Sequence, residues 1–166
     1  YDRALEGLAE TSRILLPASS AVQIDRMLRL AAGLKANAVL YGGHEAYRAA
    51  GALKESGVPV LVSLKWPERD RDADPDDPEP LRVLEMRERA PSTPGVLEKT
   101  GVPFAFYSGG VENPKDLMPA VRRAITAGLS REAAVRALTL SPAEIYGVAD
   151  RLGSIEPGKI ANLTVT

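Results

Sequence analysis

Apolar residues concentrate in four short runs, at 13–16, 38–41, 58–64 and 102–107, and each run is apolar nearly throughout rather than alternating. Strands of that kind are covered on both faces, as in a parallel sheet. Between the runs the spacing becomes helical. Over 20–34 the apolar residues Ile24, Met27, Leu28, Ala31 and Leu34 share one face, and Ser20 with Gln23 makes a capping box at its start. Residues 44–56 predict a second helix, closed by Gly57, a residue type that tolerates left-handed backbone. Asn113 then Pro114 supply a cap and a first-turn proline for a helix reaching Ala127, with Gly128 ending it. Ser130 caps a helix over Arg131–Leu138, and Ser141, Pro142 and Glu144 read as a capping box for a short helix closed by Gly147. Repeated strand and helix predict an α/β fold with a parallel sheet.

Two stretches break this rhythm. Residues 67–80 (PERDRDADPDDPEP) carry seven acids, two arginines and four prolines, too polar and too kinked for a core. They follow the third strand, on the carboxyl side where α/β proteins place functional loops. Residues 151–165 predict a hairpin, 154–155 against 160–165, around Glu156-Pro157-Gly158-Lys159, whose Pro-Gly pair suits a type II turn. A hairpin does not continue the repeat, so it predicts a second module.

At 166 residues, with 45% hydrophobic and 26% charged residues, the composition is that of an ordinary globular domain. Twenty-one Lys and Arg against 22 Asp and Glu give no basic excess, which argues against a nucleic-acid partner. No run of about 18 apolar residues occurs, so no membrane partner is expected. The first residues, Tyr1-Asp2-Arg3, lack the pattern of a signal peptide, which leaves the compartment open. The absence of cysteine excludes disulfides, thiolate metal sites and a Cys nucleophile, and His44 is the single histidine.

The C-terminal third carries the most specific pattern. Gly128-Leu129-Ser130-Arg131-Glu132-Ala133-Ala134, then Ala137-Leu138-Thr139, Ser141-Pro142-Ala143-Glu144 and Gly147, resembles the amidohydrolase superfamily, nearest its imidazolonepropionase-like branch. So does the run from Arg151 to Leu163, RLGSIEPGKIANL. The resemblance implies a fold: strands five to eight of a (β/α)8 TIM barrel with their outer helices over 1–147, then, over 148–166, the hairpin that starts a small β-sandwich. A whole barrel takes about 250 residues, so the resemblance implies a fragment. It also implies a hydrolase acting on carbon–nitrogen bonds other than peptide bonds, with a divalent metal such as Zn as cofactor. In this half such enzymes place one His after strand five, one after strand six and an Asp general base after strand eight. Here those positions hold Pro17, Gly42 and Gly109, none of which has a ligand atom. The expectation is a metal site degenerate in this chain, with no metal held by it.

The remaining strand-end candidates each have a plain alternative. His44, two residues past the expected ligand, is a displaced ligand or, more commonly at a helix start, a cap or surface residue. Ser108 lacks an adjacent activating base, which favours strand-end packing over a nucleophile. Tyr107-Ser108-Gly109-Gly110 before the Asn113 cap offers backbone N–H groups to an anion, without a defined phosphate motif. Lys65 and Trp66 line the mouth, Trp66 as an exposed contact residue. Asp70, Asp72, Asp74 and Asp76 alternate like a calcium loop, yet Pro75 stands where the turn glycine belongs, so a solvated acidic loop is expected.

Three readings follow: a pseudoenzyme or binding module using a mouth around Lys65, Tyr107 and Glu112 for a small-molecule ligand; an active metal hydrolase with ligands supplied by a missing N-terminal half; and a structural fragment. Apolar strands with open edges also predict that the chain stays bound to that missing half, dimerises with a second copy, or curls into a compact flavodoxin-like sandwich with helices on both faces.

Overall fold

A computed structural model of the chain describes residues 7, 10–34, 37–70, 72–74 and 76–163. Four strands, β1 (Arg13–Ala18), β2 (Asn37–Gly42), β3 (Val60–Ser63) and β4 (Phe104–Tyr107), lie in chain order, each parallel to the next. The apolar runs locate all four, with shifted ends: β1 continues through Pro17 to Ala18, while β3 and β4 are shorter than their runs. Pro17 is tolerated because β1 is an edge strand.

Helix α1 (Ala21–Gly33) follows β1 and has the expected capping box, Ser20 with Gln23. The segment after β2 departs from expectation. His44 and Glu45 form a turn, a short 3-10 turn spans Ala46–Arg48, and helix α2 covers only Ala50–Ser56. Two contacts hold the chain out of the helix here: the Glu45 N–H donates to the Ser19 carbonyl at 2.9 Å, and Thr93 Oγ1 donates to the His44 carbonyl at 2.8 Å. Gly57 closes α2 in left-handed backbone, as read. After the acidic loop come α3 (Leu81–Arg89) and α4 (Thr93–Thr100), neither of which was assigned from sequence.

Asn113 caps as expected, but its first turn is a 3-10 segment, Pro114–Asp116, before α5 (Leu117–Thr126). Ser130 caps α6 (Arg131–Leu138) through the Ala133 N–H. The capping box at Ser141 is not formed. Helix α7 (Leu140–Tyr146) begins two residues earlier, with Thr139 as its cap position, which places Ser141 inside the helix, and Arg136 binds the Glu144 carboxylate at 2.6 and 2.8 Å. Beyond Gly147, the Pro157-Gly158 turn closes with the Lys159 N–H on the Glu156 carbonyl at 3.2 Å. No strand forms over the described residues 151–163, which corrects the hairpin expectation; residues 164–166 lie outside the described residues. Among the described residues one backbone bond, from the Ile160 N–H to the Arg151 carbonyl, joins the two arms, too few for a ladder.

The main core lies between the sheet and its helices. Ile14, Leu16, Leu40, Val60, Val62, Phe104 and Phe106 pack with Ile24, Leu53, Leu97, Val121 and Ala124. On the opposite face Val39, Leu61 and Ala105 form a smaller cluster, packed against Ile145 of α7 and Tyr107. That cover is incomplete: Leu15 is 48% and Tyr41 36% exposed. Among the described residues, no helix is long and apolar enough to cross a membrane.

Candidate functional site

The carboxyl ends of the strands and the loops after them carry the residues singled out from sequence. Two of the three positions where a ligand or base was expected are occupied by glycine for a steric reason. Gly42 has φ of +110°, and a Cβ there would lie 2.5 Å from Ser19 Oγ. Gly109 has φ of +63°, and a Cβ there would lie 1.8 Å from Ser63 Oγ and 2.8 Å from Ser63 Cβ. Left-handed backbone and missing space together make these positions glycine sites.

The space beside Gly109 is taken by a small hydroxyl cluster. Ser63 is buried at the end of β3, accepts the Lys65 N–H at 3.1 Å, and stands beside the Tyr107 side chain. Burial pushes the Tyr107 phenol above its ordinary range; the neighbouring Ser63 hydroxyl works against that push. Tyr41 meets Tyr107 edge to face, with ring centroids 6.2 Å apart and planes at 87°. This part of the mouth is lined by hydroxyls and rings.

His44 lies beside the neighbouring strand end. Its ring is tilted against Trp66 at 6.3 Å and stands beside the Lys65 backbone. Burial holds its pKa below the usual imidazole value, with the Lys65 contact acting in the opposite direction. Nε2 is buried without a partner. Trp66 corrects the expectation of an exposed contact residue. It is 6% exposed and its Nε1 donates to the Ala120 carbonyl at 3.0 Å, tying the end of β3 to α5.

Lys65, Ser108, Glu112 and Asn113 are exposed. Asn113 is committed to its cap, accepting the Lys115 N–H at 3.0 Å. Ser108 contributes its carbonyl to a turn with Val111, and among the described residues no hydrogen bond links its hydroxyl to a base. In the acidic loop, Asp70 accepts the Asp72 N–H and Asp74 accepts the Asp76 N–H, while Arg69 donates to the carbonyls of Asp74 and Asp77. These are self-contained turns. Pro75 lies outside the described residues, among which no group of three His, Asp or Glu converges as a metal site would require.

Sequence reasoning missed Glu45. It is 1% exposed, its Oε2 accepts the Ala21 N–H at the start of α1 at 2.8 Å, and Arg82 approaches the same oxygen at 3.3 Å. A buried carboxylate on a helix N-terminus fits the helix dipole. Its partner is 24 residues away in sequence, so no local pattern announces it.

The fold has solved counterparts. An amidohydrolase from Thermotoga maritima MSB8 superimposes with a TM-score of 0.73 and 28% identity, covering 94% of this chain and 38% of that one. A Xaa-Pro dipeptidase with bound methionine in its active site gives a TM-score of 0.67 at 22% identity, over 89% of this chain and 37% of that one, a likeness of fold alone. An adenine deaminase of Moorella thermoacetica is 49% identical over 43 residues, which is 26% of this chain and 7% of that protein. The chain therefore spans well under half the length of these relatives. The model of the Amidohydrolase family matches residues 17–166. Nearly the whole sequence is included in that match, and this chain belongs to the amidohydrolase family.

Proposed function

We propose that this chain is the C-terminal half of an amidohydrolase-type barrel, of the imidazolonepropionase-like branch, in which the strand-end mouth binds a small molecule without hydrolysing it. The divalent metal of the family would supply a Lewis acid and an activated water. The residues here do not fit it. Pro17, Gly42 and Gly109 carry no donor atom, and His44 Nε2, buried without a partner, has no second or third ligand converging with it among the described residues. No catalytic step through a metal is therefore derived.

The observation that carries this reading is Gly109. A carboxylate general base at that position would have to displace the Ser63 hydroxyl, which occupies the volume of its first side-chain atom. Loss of a single ligand leaves an impaired site, whereas a packed and hydrogen-bonded replacement of the base makes another surface. The mouth offers Tyr41 and Tyr107 rings, the Ser63 hydroxyl and the exposed Lys65 to a ligand. The exposed side chains of Leu15 and Tyr41 on the partly covered sheet face favour a second half-barrel, from the same protein or another copy, closing over them.

The test is metal content and activity of the protein at the full length its gene encodes. Elemental analysis before and after His44→Ala is expected to show no loss of Zn, Fe or Mn, and cyclic-amide, acyl-amide and adenine substrates are expected to remain intact. A stoichiometric metal that disappears with His44 while thermal unfolding is unchanged would overturn the proposal. So would turnover of any of these substrates that depends on His44 or Tyr107.

A further inference from the structure

The opposite end of the sheet holds a groove of about 910 Å3, running under the amino ends of the strands between α1, α4, α6 and α7. That volume is in the roughly 300–1,000 Å3 range of small-molecule sites. Its walls are mainly apolar, with Leu28, Val39, Val58, Phe104 and Ile145 among them. Four charged side chains line it: Arg13, Glu98, Arg136 and Glu144.

Three of the four are engaged. Arg136 holds Glu144 through both carboxylate oxygens, at 2.6 and 2.8 Å. Glu98 accepts the Ser130 N–H at 3.0 Å on one oxygen and the Ser130 hydroxyl at 2.6 Å on the other, and those bonds hold its carboxyl below the usual range. Arg13 has no carboxylate partner among the described residues. Its guanidinium lies 5.6 Å from the Tyr146 ring centroid, and Nη1 donates to the Tyr146 carbonyl at 3.0 Å. Nε is buried and unpartnered, and among the described residues Nη2 makes no hydrogen bond.

One edge of the guanidinium is thus fixed by Tyr146, and the Nε–Nη2 edge, which matches the two oxygens of a carboxylate, is left without an acceptor. Leaving a buried donor unmatched is costly, and such groups call for an explanation. We propose that the groove is a binding site for a small carboxylate with an apolar body, held side-on by Arg13 Nε and Nη2 with its hydrocarbon against Val39, Val58 and Ile145. The site stands apart from the strand-end mouth, but it rests on the reading of the chain as half a barrel to this extent: Val39 lies on the sheet face that a second half would close over, and the groove must stay open in the full-length protein. The ion pair of Arg136 with Glu144 and the bonds of Glu98 leave neither acid free to compete for Arg13.

The experiment is calorimetric titration of the full-length protein with hexanoate and benzoate, each compared with its neutral amide. Saturable binding of at least one carboxylate is expected, weaker by about tenfold or more for the amide, the scale of a lost charge-assisted pair. Arg13→Gln, which keeps a donor for the Tyr146 carbonyl, is expected to remove that preference. Ala32→Trp, at an exposed position on the groove wall, leaves Arg13 in place and is expected to abolish binding by filling the space. Its unchanged thermal midpoint guards against a folding explanation. Absence of carboxylate binding, equal affinity for acid and amide, or full binding by Ala32→Trp would each overturn the proposal.

Discussion

Replacing Gly109 by alanine tests whether the position where a general base was expected is a packed glycine site. The added methyl group would stand 1.8 Å from Ser63 Oγ and 2.8 Å from its Cβ, so Ser63 must move. A non-glycine residue at φ of +63° costs about 1–2 kcal/mol. Displacing the Ser63 hydroxyl gives up its bond to the Lys65 N–H, at about 0.5–1.5 kcal/mol. The sum centres on about 2.5 kcal/mol of lost stability. Urea unfolding followed by circular dichroism reads the total, and hydrogen exchange at Lys65 reads the local bond, whose protection is expected to fall. A double-mutant cycle separates the terms. Ser63→Gly removes both clashing atoms and leaves Ser63 Cα, at 3.3 Å, as the nearest contact. Gly109→Ala is then expected to cost only its backbone strain, a coupling of about 1 kcal/mol. Gly109→Asp is expected to destabilise at least as much and to restore no hydrolysis. A loss below about 1 kcal/mol for Gly109→Ala, or additivity within about 0.5 kcal/mol, would refute the reasoning.

Three further outcomes follow from the geometry. Glu45→Ala is expected to cost about 2–3 kcal/mol in urea unfolding, since it removes a buried carboxylate from the Ala21 N–H, while the exposed Arg82 contributes little; a cost near zero would mean the helix start does not need this carboxylate. His44 has a folded pKa below its unfolded value, so the unfolded state binds the proton first. Stability is then complete above the unfolded value of about 6.5, and declines as pH falls from there toward the folded pKa. His44→Phe is expected to flatten that decline, and a slope unchanged by the substitution would assign it elsewhere. Trp66→Phe is expected to cost about 1 kcal/mol through the bond to the Ala120 carbonyl and the lost ring area; an unchanged urea midpoint would show that this tie between β3 and α5 adds no stability.

Four apolar runs were enough to locate the strands, because a parallel strand packed against helices needs consecutive apolar residues. The Ser20 and Ser130 caps were legible for a similar reason, since both partners of each bond lie within one helical turn. What escaped depended on distant partners. Helix α4 carries Pro94 and Gly95 in its first turn, which read as a loop; Gly95 is there because a Cβ would lie 2.7 Å from the Gly128 carbonyl oxygen. Helix α3 has no buried residue and is tied down instead by Arg87 pairing with Glu79, whose carboxyl that bond holds below its ordinary range. The Ser141 box failed because the helix begins at Leu140 and holds Ser141 inside it. At the mouth, the unlike residues at 17, 42 and 109 were visible in the sequence, but the hydroxyl filling the space beside Gly109 comes from another strand. The burial of Trp66 likewise rests on a carbonyl 54 residues away.

Pro17 has a consequence for the direction of hydrogen bonding along the open edge of β1. The Ser12 and Ala18 carbonyls accept from Asn37 and Gly43 of the β2 segment, so even-numbered residues of β1 point their amide groups inward. Arg13, Leu15 and Pro17 point theirs outward, toward any strand laid alongside. Such a strand receives N–H groups from Arg13 and Leu15 and then meets a ring with no hydrogen to give. Its carbonyl at that level is left with unused lone pairs at the rim of the mouth, beside Tyr41, the register partner of Pro17. A closed sheet would thus carry a fixed notch in its ladder, an acceptor reserved for water or for a donor on whatever enters.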